Sequence, residues 1–377
     1  MKTKRRSAGM LVALVATVGL TATACGASDE SSGSNGDTTS SSQLSAADSA
    51  TDDAKKEPTA ITVTTPLDKA PGSGSETIVL AKCDSPQCQQ IEEELVKAAD
   101  AVGWKVKAIP FKSADPATLV AALKQGLEQY DPIAGVVTGS PRAVWEDAAK
   151  AYKAAGVPIV AGYVGPMETD DTVIANIGGT EGAIYGEMLA NWVISDSKGK
   201  GKALIYGVPD FPILKVVDDS FQKTVEEGCS GCSVTVVKGA ISEVMSGGAP
   251  KAIVSALQRD PSIKYVVTDS GGWAVGLPAA LDAAGLDVKI GAQNGNSINL
   301  TDLDAGKVNA LTGLALRMGS WYMVDAILRH QQGMAMDPEQ GSLPTQLMTE
   351  DTDNDISDSY DKPADWADQF KKLWQVS

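Results

Sequence analysis

Few residues in this chain of 377 have side chains suited to chemistry, and their spacing decides what they can do. There is one histidine, His330, in a helical stretch expected on the outside of the fold, so triad or imidazole acid–base catalysis has no seat. HExxH, Walker A and GxSxG motifs are absent, and no dinucleotide fingerprint follows the first strand. The acidic run Glu350-Asp-Thr-Asp-Asn-Asp-Ile-Ser-Asp lacks the central Gly and terminal Glu of a calcium loop and reads as a solvated stretch. No metal and no cofactor is expected.

Cysteine is the other reactive type. Leaving Cys25 aside, Cys83 and Cys88 are spaced C-x4-C, and Cys229 and Cys232 are spaced C-x2-C. Four cysteines in a secreted chain allow three disulfide connectivities, of which the two local pairs are favoured. A zinc site of four thiolates fits the spacings loosely, but the oxidising compartment and the wide gap between the pairs argue against it. Cys229-Ser-Gly-Cys232 follows a helix and precedes a strand, whereas a redox-active pair opens a helix. Both pairs are expected to be structural clips.

The elements that must position such groups are regular. The run 262–281 reads as a strand, a polar Gly-rich loop around Ser270-Gly-Gly-Trp273, and a helix with Ala/Leu spacing. In a parallel sheet that loop lies at the carboxyl end of the strands, where ligands bind. Strands at 77–81, 104–109, 133–138 and 157–161 alternate with helices at 89–102, 116–129 and 143–155. After 173–177 the rhythm restarts, with strands at 203–206, 234–237, 288–291 and 308–314 and helices at 182–195, 213–227 and 250–257. A long helix, 318–332, and an amphipathic tail, 366–373, follow. The fold class is α/β: two similar doubly wound parallel-sheet domains in succession.

The amino terminus has Lys2, Lys4, Arg5 and Arg6, an apolar run from Met10 to Leu20, and Thr21-Ala-Thr-Ala24-Cys25. Residues 1–24 read as a secretory signal. Small residues directly before Cys25 resemble a bacterial lipoprotein signal, which implies acylation of Cys25 and attachment to the outer face of the cell membrane; Ala22 stands where that pattern most often has Leu. Residues 25–57 hold no aromatic side chain and almost no aliphatic one, so they are expected to be a disordered tether. The net charge of -16 disfavours nucleic acid and anionic lipid. A helix-turn-helix regulator is excluded too, since a signal and a tether stand where its DNA-binding helices would be.

With these elements in place, residues 75–350 resemble the periplasmic sugar-binding proteins of the ribose-binding type, the solute-binding components of ABC importers. The resemblance rests on Asp84-Ser85-Pro86 after the first strand, Gly156-Val-Pro158, Gly178-Gly179-Thr180 followed by Gly182 and Gly186, Ala274-Val-Gly276, and Gly306-Lys-Val308 before Gly319. It implies a clamshell with three crossings near Gly178, Leu314 and Gln346. One lobe would be 58–178 plus 315–345, and the other 179–314 plus 346–377. It also implies capture of a small molecule by hinge closure, a permease partner, and no enzymatic activity.

At the site the chain departs from that family. Ser85, Gln87 and Cys88 replace its Asn and aromatics, Tyr163-Val164 its Asp-Arg, Val217 an Arg, Ser270-Gly271 an Asn-Asp, Gln293 an Asp, and Leu314 a Gln. The candidate ligand-binding set is Asp84, Ser85, Gln87, Tyr163, Phe211, Asp269, Ser270, Trp273, Gln293 and Asn294. Asp84 and Asp269 serve equally well as helix caps, Phe211 as lid packing, and Gln293 and Asn294 as partners for turn backbone. Sugar hydroxyls need carboxylate, amide or guanidinium partners, so so few charges suit a less polar, sugar-like or aromatic molecule. A monomeric importer component is the leading reading; a surface receptor that signals to a membrane sensor is the alternative.

Overall fold

The computed structural model describes residues 38–377 except 73, 353 and 355–359. The signal, Cys25 and the first part of the expected tether lie outside the described residues.

Apolar β-branched runs flanked by helices build two sheets. The first comprises β1 (Thr77–Lys82), β2 (Lys105–Pro110), β3 (Ala134–Thr138), β4 (Ile159–Gly162) and β5 (Val173–Ile177), all parallel, in the order β2-β1-β3-β4-β5. Its central strands are buried on both faces, as continuous Ile-Val-Leu-Ala and Ala-Gly-Val-Val sequences require. The second comprises β6 (Lys202–Gly207), β7 (Ser233–Lys238), β8 (Tyr265–Thr268), β9 (Lys289–Ala292), β10 (Ala310–Thr312) and β11 (Leu347–Met348), in the order β11-β10-β9-β8-β6-β7, with only β11 antiparallel.

The helices follow local signals. In the first lobe α2 (Pro86–Ala101) is capped by Ser85, α3 (Pro116–Tyr130) by Asp115, and α4 (Arg142–Ala155) ends at Gly156 with φ 70°. The second lobe carries α5 (Glu181–Asp196), α6 (Pro212–Gly228), α7 (Ile241–Met245) and α8 (Ala249–Arg259). The expected single helix ending the 262–281 unit is two, α9 (Gly271–Ala274) and α10 (Leu277–Ala284), because Gly276 turns the chain with φ 79°. Helix α11 (Ser297–Asp304), opened by an Asn296–Asn299 capping box, completes this lobe. Helix α12 (Leu316–Gln331) returns to the first lobe and packs on α2, β4 and β5. His330 is exposed at its end.

Two parts of the expected domain plan need correction. The stretch 41–54, expected to be disordered, is helix α1 (Ser41–Ala54), with a Ser40–Gln43 capping box. It lies on α5 by burying only the small residues Ala47 and Thr51, while Asp48 accepts a hydrogen bond from Ser195. Small side chains allow close helix approach, so aliphatic content underestimates such a face. The carboxyl-terminal helix α13 (Trp366–Trp374), expected on the second lobe, packs on the first. There Trp374 stacks on Trp321 at 5.3 Å, and Phe370 meets Tyr322 edge-on at 4.9 Å.

The chain therefore passes between the lobes at 178–180, 313–315 and 343–346, and twice more. Residues 55–60 lead from α1 on the second lobe to a segment where the Thr62 amide donates to Tyr322 Oη and the Leu67 amide to the Leu373 carbonyl. Residues 361–365 run from the second lobe to α13. These two crossings meet through a 3.2 Å ion pair between Lys362 and Glu57. Gln346 Nε2 also donates to the Lys55 carbonyl at 2.8 Å.

Candidate functional site

The carboxyl ends of both sheets face one cleft of about 440 Å³. At its mouth the lobes touch: a Cβ on Gly165 of the first would lie 3.6 Å from Cα of Ile213 on the second. Among the wall residues none is Asp, Glu, Lys, Arg or His. The cleft is a neutral chamber.

On the first lobe, Ser85 Oγ accepts the Cys88 amide at 3.3 Å, and the Cys83–Cys88 disulfide closes the same turn. Ser85, Gln87 and both cysteines reach the chamber wall. The local pairing expected from spacing holds for both bridges, and Cys229–Cys232 sits against Ala47 and Ile194, away from the cleft. Asp84 is turned aside: Oδ1 accepts from the Ser113 hydroxyl at 2.6 Å and from its amide at 3.3 Å. That hydroxyl holds the Asp84 carboxyl below the usual carboxylate range.

Tyr163 follows β4 with φ 58°, and its hydroxyl donates to the Leu316 carbonyl at 2.8 Å, where α12 begins just after the second crossing. Its ring lies where side chains on Gly178 and Gly319 would otherwise stand. It reaches the chamber, yet its polar end is committed to the start of α12, and burial drives its pKa far up. Beside it, Glu181 is 1% exposed and accepts the Leu343 amide at 2.7 Å and the Thr180 amide at 3.1 Å. Burial raises its pKa against those amide bonds.

On the second lobe, Phe211, Ser270, Gln293 and Asn294 all reach the chamber. Phe211 is positioned by the prolines on either side of Asp210-Phe211 and by its amide bond to Val208 at 3.1 Å. Ser270 Oγ caps α9 through the Gly272 amide at 3.3 Å. The Gln293 carbonyl accepts the Gly271 amide at 2.6 Å, and Asn294, with φ 54°, donates its amide to Thr312 Oγ1 at 3.2 Å. Gln293 thus serves turn backbone and Asn294 the Thr312 hydroxyl, each through its main chain, while both residues also line the wall.

Asp269 and Trp273 do not reach the chamber. Asp269 is fully buried and accepts the Val208 amide and Trp273 Nε1, each at 2.8 Å, so the indole is folded onto its own lobe. Behind it Asp218 is also buried, and its Oδ1 has no partner among the described residues. Burial and the neighbouring carboxylate push Asp218 up to about 7, and burial pushes Asp269 to about 6. A Gly-Gly loop places an indole near the crevice but does not show which way it turns.

The structure adds wall residues with weak sequence signals. Phe111 follows β2 and Thr138 ends β3, and Tyr185, Leu214 and Val217 face the chamber from α5 and α6. Their helical and strand spacing resembles that of ordinary core positions. Only the rule that strand ends face the crevice could have singled out Phe111 and Thr138.

No curated protein matches this sequence. Among solved structures, a sugar-binding protein of a sugar ABC transporter from Bacillus halodurans aligns with TM-score 0.65 at 15% identity, covering 76% of this chain and 100% of that one. GanP, a glucose-galactose binding protein from Geobacillus stearothermophilus, aligns with TM-score 0.63 at 16% identity over 74% and 98%. An ABC sugar transporter subunit from Rhodobacter sphaeroides aligns with TM-score 0.62 at 19% identity over 74% and 99%. At such identities these likenesses speak for the fold, two α/β lobes around a cleft. The profile of the periplasmic binding protein domain matches residues 77–334, from β1 to just past α12. The chain belongs to the periplasmic binding protein family, extracytoplasmic proteins that bind solutes without acting on them as enzymes.

Proposed function

We propose that this protein is the solute-binding lipoprotein of an ABC importer, anchored through Cys25 and handing a neutral small molecule to membrane permease subunits. The observation that carries the ligand class is the 440 Å³ chamber with no Asp, Glu, Lys, Arg or His side chain on its wall. A charged solute would lose its hydration there without a counter-charge, at a cost of several kcal/mol. A molecule with a few hydroxyl or carbonyl groups would find Ser85, Gln87, Thr138, Ser270, Gln293 and Asn294, with Phe111, Phe211 and Tyr185 for its apolar faces. Sugars, and less polar sugar-like or aromatic compounds, fit this description. Contacts to both lobes exist together only when the lobes are closed, so binding favours closure.

The test is a thermal-shift screen of the mature chain against neutral sugars, polyols and aromatics, with amino acids and sugar phosphates as charged controls. A saturable upward shift is expected from a neutral compound, lost on Gln293→Ala. Stabilisation by charged solutes alone would overturn the reading.

A further inference from the structure

Past Phe111 and Phe211 the cleft opens into a second hollow of about 210 Å³, which nothing above uses. Phe111, Ser113, Gly139, Ser140, Phe211 and Ile213 line both spaces, so the two chambers adjoin. Beyond that junction the character of the wall changes. Pro116, Leu119, Val144 and Val164 come from the first lobe and Pro212 from the second; Asp210 is the one charged wall residue.

Several polar groups near this annexe are already engaged. Ser113 donates its hydroxyl to Asp84, and the Ser140 carbonyl accepts Trp145 Nε1 at 2.8 Å. The Phe111 amide is held by the Lys82 carbonyl, and the Val144 amide by that of Pro141. Away from Asp210 and Ser140, a sugar hydroxyl placed here would be desolvated with little to bond, whereas an apolar ring loses nothing. The size also fits, since a cavity of about 150 Å³ already admits benzene.

We infer that the ligand is bipartite: an uncharged polar head occupies the main chamber, and an apolar ring attached to it, as in an aryl glycoside, occupies the annexe between Phe111, Val144 and Phe211. This inference rests on the proposed solute-binding function and specifies the chemistry of its ligand. Both lobes supply annexe walls, so the ring adds contacts that exist only when the lobes are closed. It therefore strengthens closure as well as affinity.

The experiment is calorimetric titration of the mature chain with a panel of pentoses and hexoses, each as its methyl and its phenyl glycoside. For the sugar that binds, the phenyl form is expected to bind at least 10-fold tighter, and Val144→Trp, which fills the annexe without touching the main chamber, to remove that gain. The milder Val144→Phe should reduce the gain if the Trp variant fails to fold. Equal affinities of methyl and phenyl forms, or a gain that survives both substitutions, would overturn the annexe and leave the solute-binding reading standing. Failure of every glycoside to bind, phenyl forms included, would overturn the bipartite ligand and the sugar-like head together.

Discussion

The Trp273 indole N–H donates to Oδ1 of Asp269 at 2.8 Å, and Oδ2 of the same carboxylate accepts the Val208 amide at 2.8 Å. One buried side chain thus joins the loop that carries Phe211 to the loop that carries Ser270. Asp269→Ala would leave both donors unpaired and should cost about 2–4 kcal/mol in chemical denaturation. It should also weaken ligand binding, because two wall segments lose their common tie. Trp273→Phe removes one donor, and its cost should be about 1 kcal/mol with a small effect on affinity. A large affinity loss in Trp273→Phe with unchanged stability would place the indole against ligand instead.

The paired carboxylates predict an unusual pH response. Asp218 titrates near 7 and Asp269 near 6 in the folded chain, both above the ordinary Asp value of about 3.9. Between roughly pH 4 and 7 the folded state therefore holds more protons at these groups than the unfolded state does. Their contribution to stability is greatest below that window and falls as pH rises through it. The groups acting on Asp218 are Asp269 and Asp219, which raise it, and Lys215 and Lys238, which lower it. Asp218→Asn removes one ionisation and should raise the melting temperature at pH 8 while changing it little at pH 5. A variant that melts lower at pH 8 would show that the carboxylate is stabilising when charged.

The Cys83–Cys88 bridge and the Cys229–Cys232 bridge differ in what they hold. Each closes a short loop, so losing either should cost about 2 kcal/mol. The first fixes the turn presenting Ser85 and Gln87 to the chamber, and the second clips the end of α6 beneath α1. Ligand affinity should fall at least several-fold in Cys83→Ser/Cys88→Ser and stay unchanged in Cys229→Ser/Cys232→Ser. Equal affinity losses in the two variants would mean that binding follows global stability alone.

How far the sequence revealed this architecture depends on the kind of signal. Strands such as Thr77–Lys82 announce themselves because burial on both faces demands an unbroken apolar run. Helix α1 did not, because its contact is made by Ala47 and Thr51, which score as tether composition. Helix α13 was visible as amphipathic, but no local pattern says that its aromatic face will meet Trp321 and Tyr322 across more than forty residues of chain. In the cleft, Ser85, Phe211, Ser270, Gln293 and Asn294 could be placed because they follow strands. Asp84 and Asp269 could not, since a carboxylate after a strand looks alike whether it faces solute or a neighbouring loop.

Tyr163 and Gly178 approach closely at the first crossing between the lobes. Gly178 has φ 66°, and an added Cβ would lie 2.6 Å from Tyr163 Cε1. Gly178→Ala carries both backbone strain and a clash with a ring that has no room to retreat, for Gly319 adjoins its other end. A loss of about 2–3 kcal/mol is expected. Tyr163→Phe loses the bond to the Leu316 carbonyl, costs about 1 kcal/mol, and by loosening the second crossing at the start of α12 should shift the balance toward open lobes. Small-angle scattering without ligand would register that shift as a larger radius of gyration; an unchanged radius would assign Tyr163 to packing alone.

The two additional crossings bear on the same equilibrium. Three connections suffice to define a hinge axis, and residues 55–60 and 361–365 add two more, tied to each other by Glu57–Lys362 and to the third crossing by the Gln346 bond to Lys55. The 55–60 link is six residues long and is held on one side by α1 against α5 and on the other by Thr62 against Tyr322. Such a short connection has little slack to yield when the lobes swing apart. Cutting it should release the restraint without removing a wall residue. A specific protease site placed between Lys55 and Ala60 would allow this in the folded protein. Scattering before and after cleavage should show the ligand-free chain expanding, and titration should show ligand binding more weakly, because the open state gains population. If cleavage leaves both radius and affinity unchanged, the link does not limit opening and the α1 segment serves the second lobe alone.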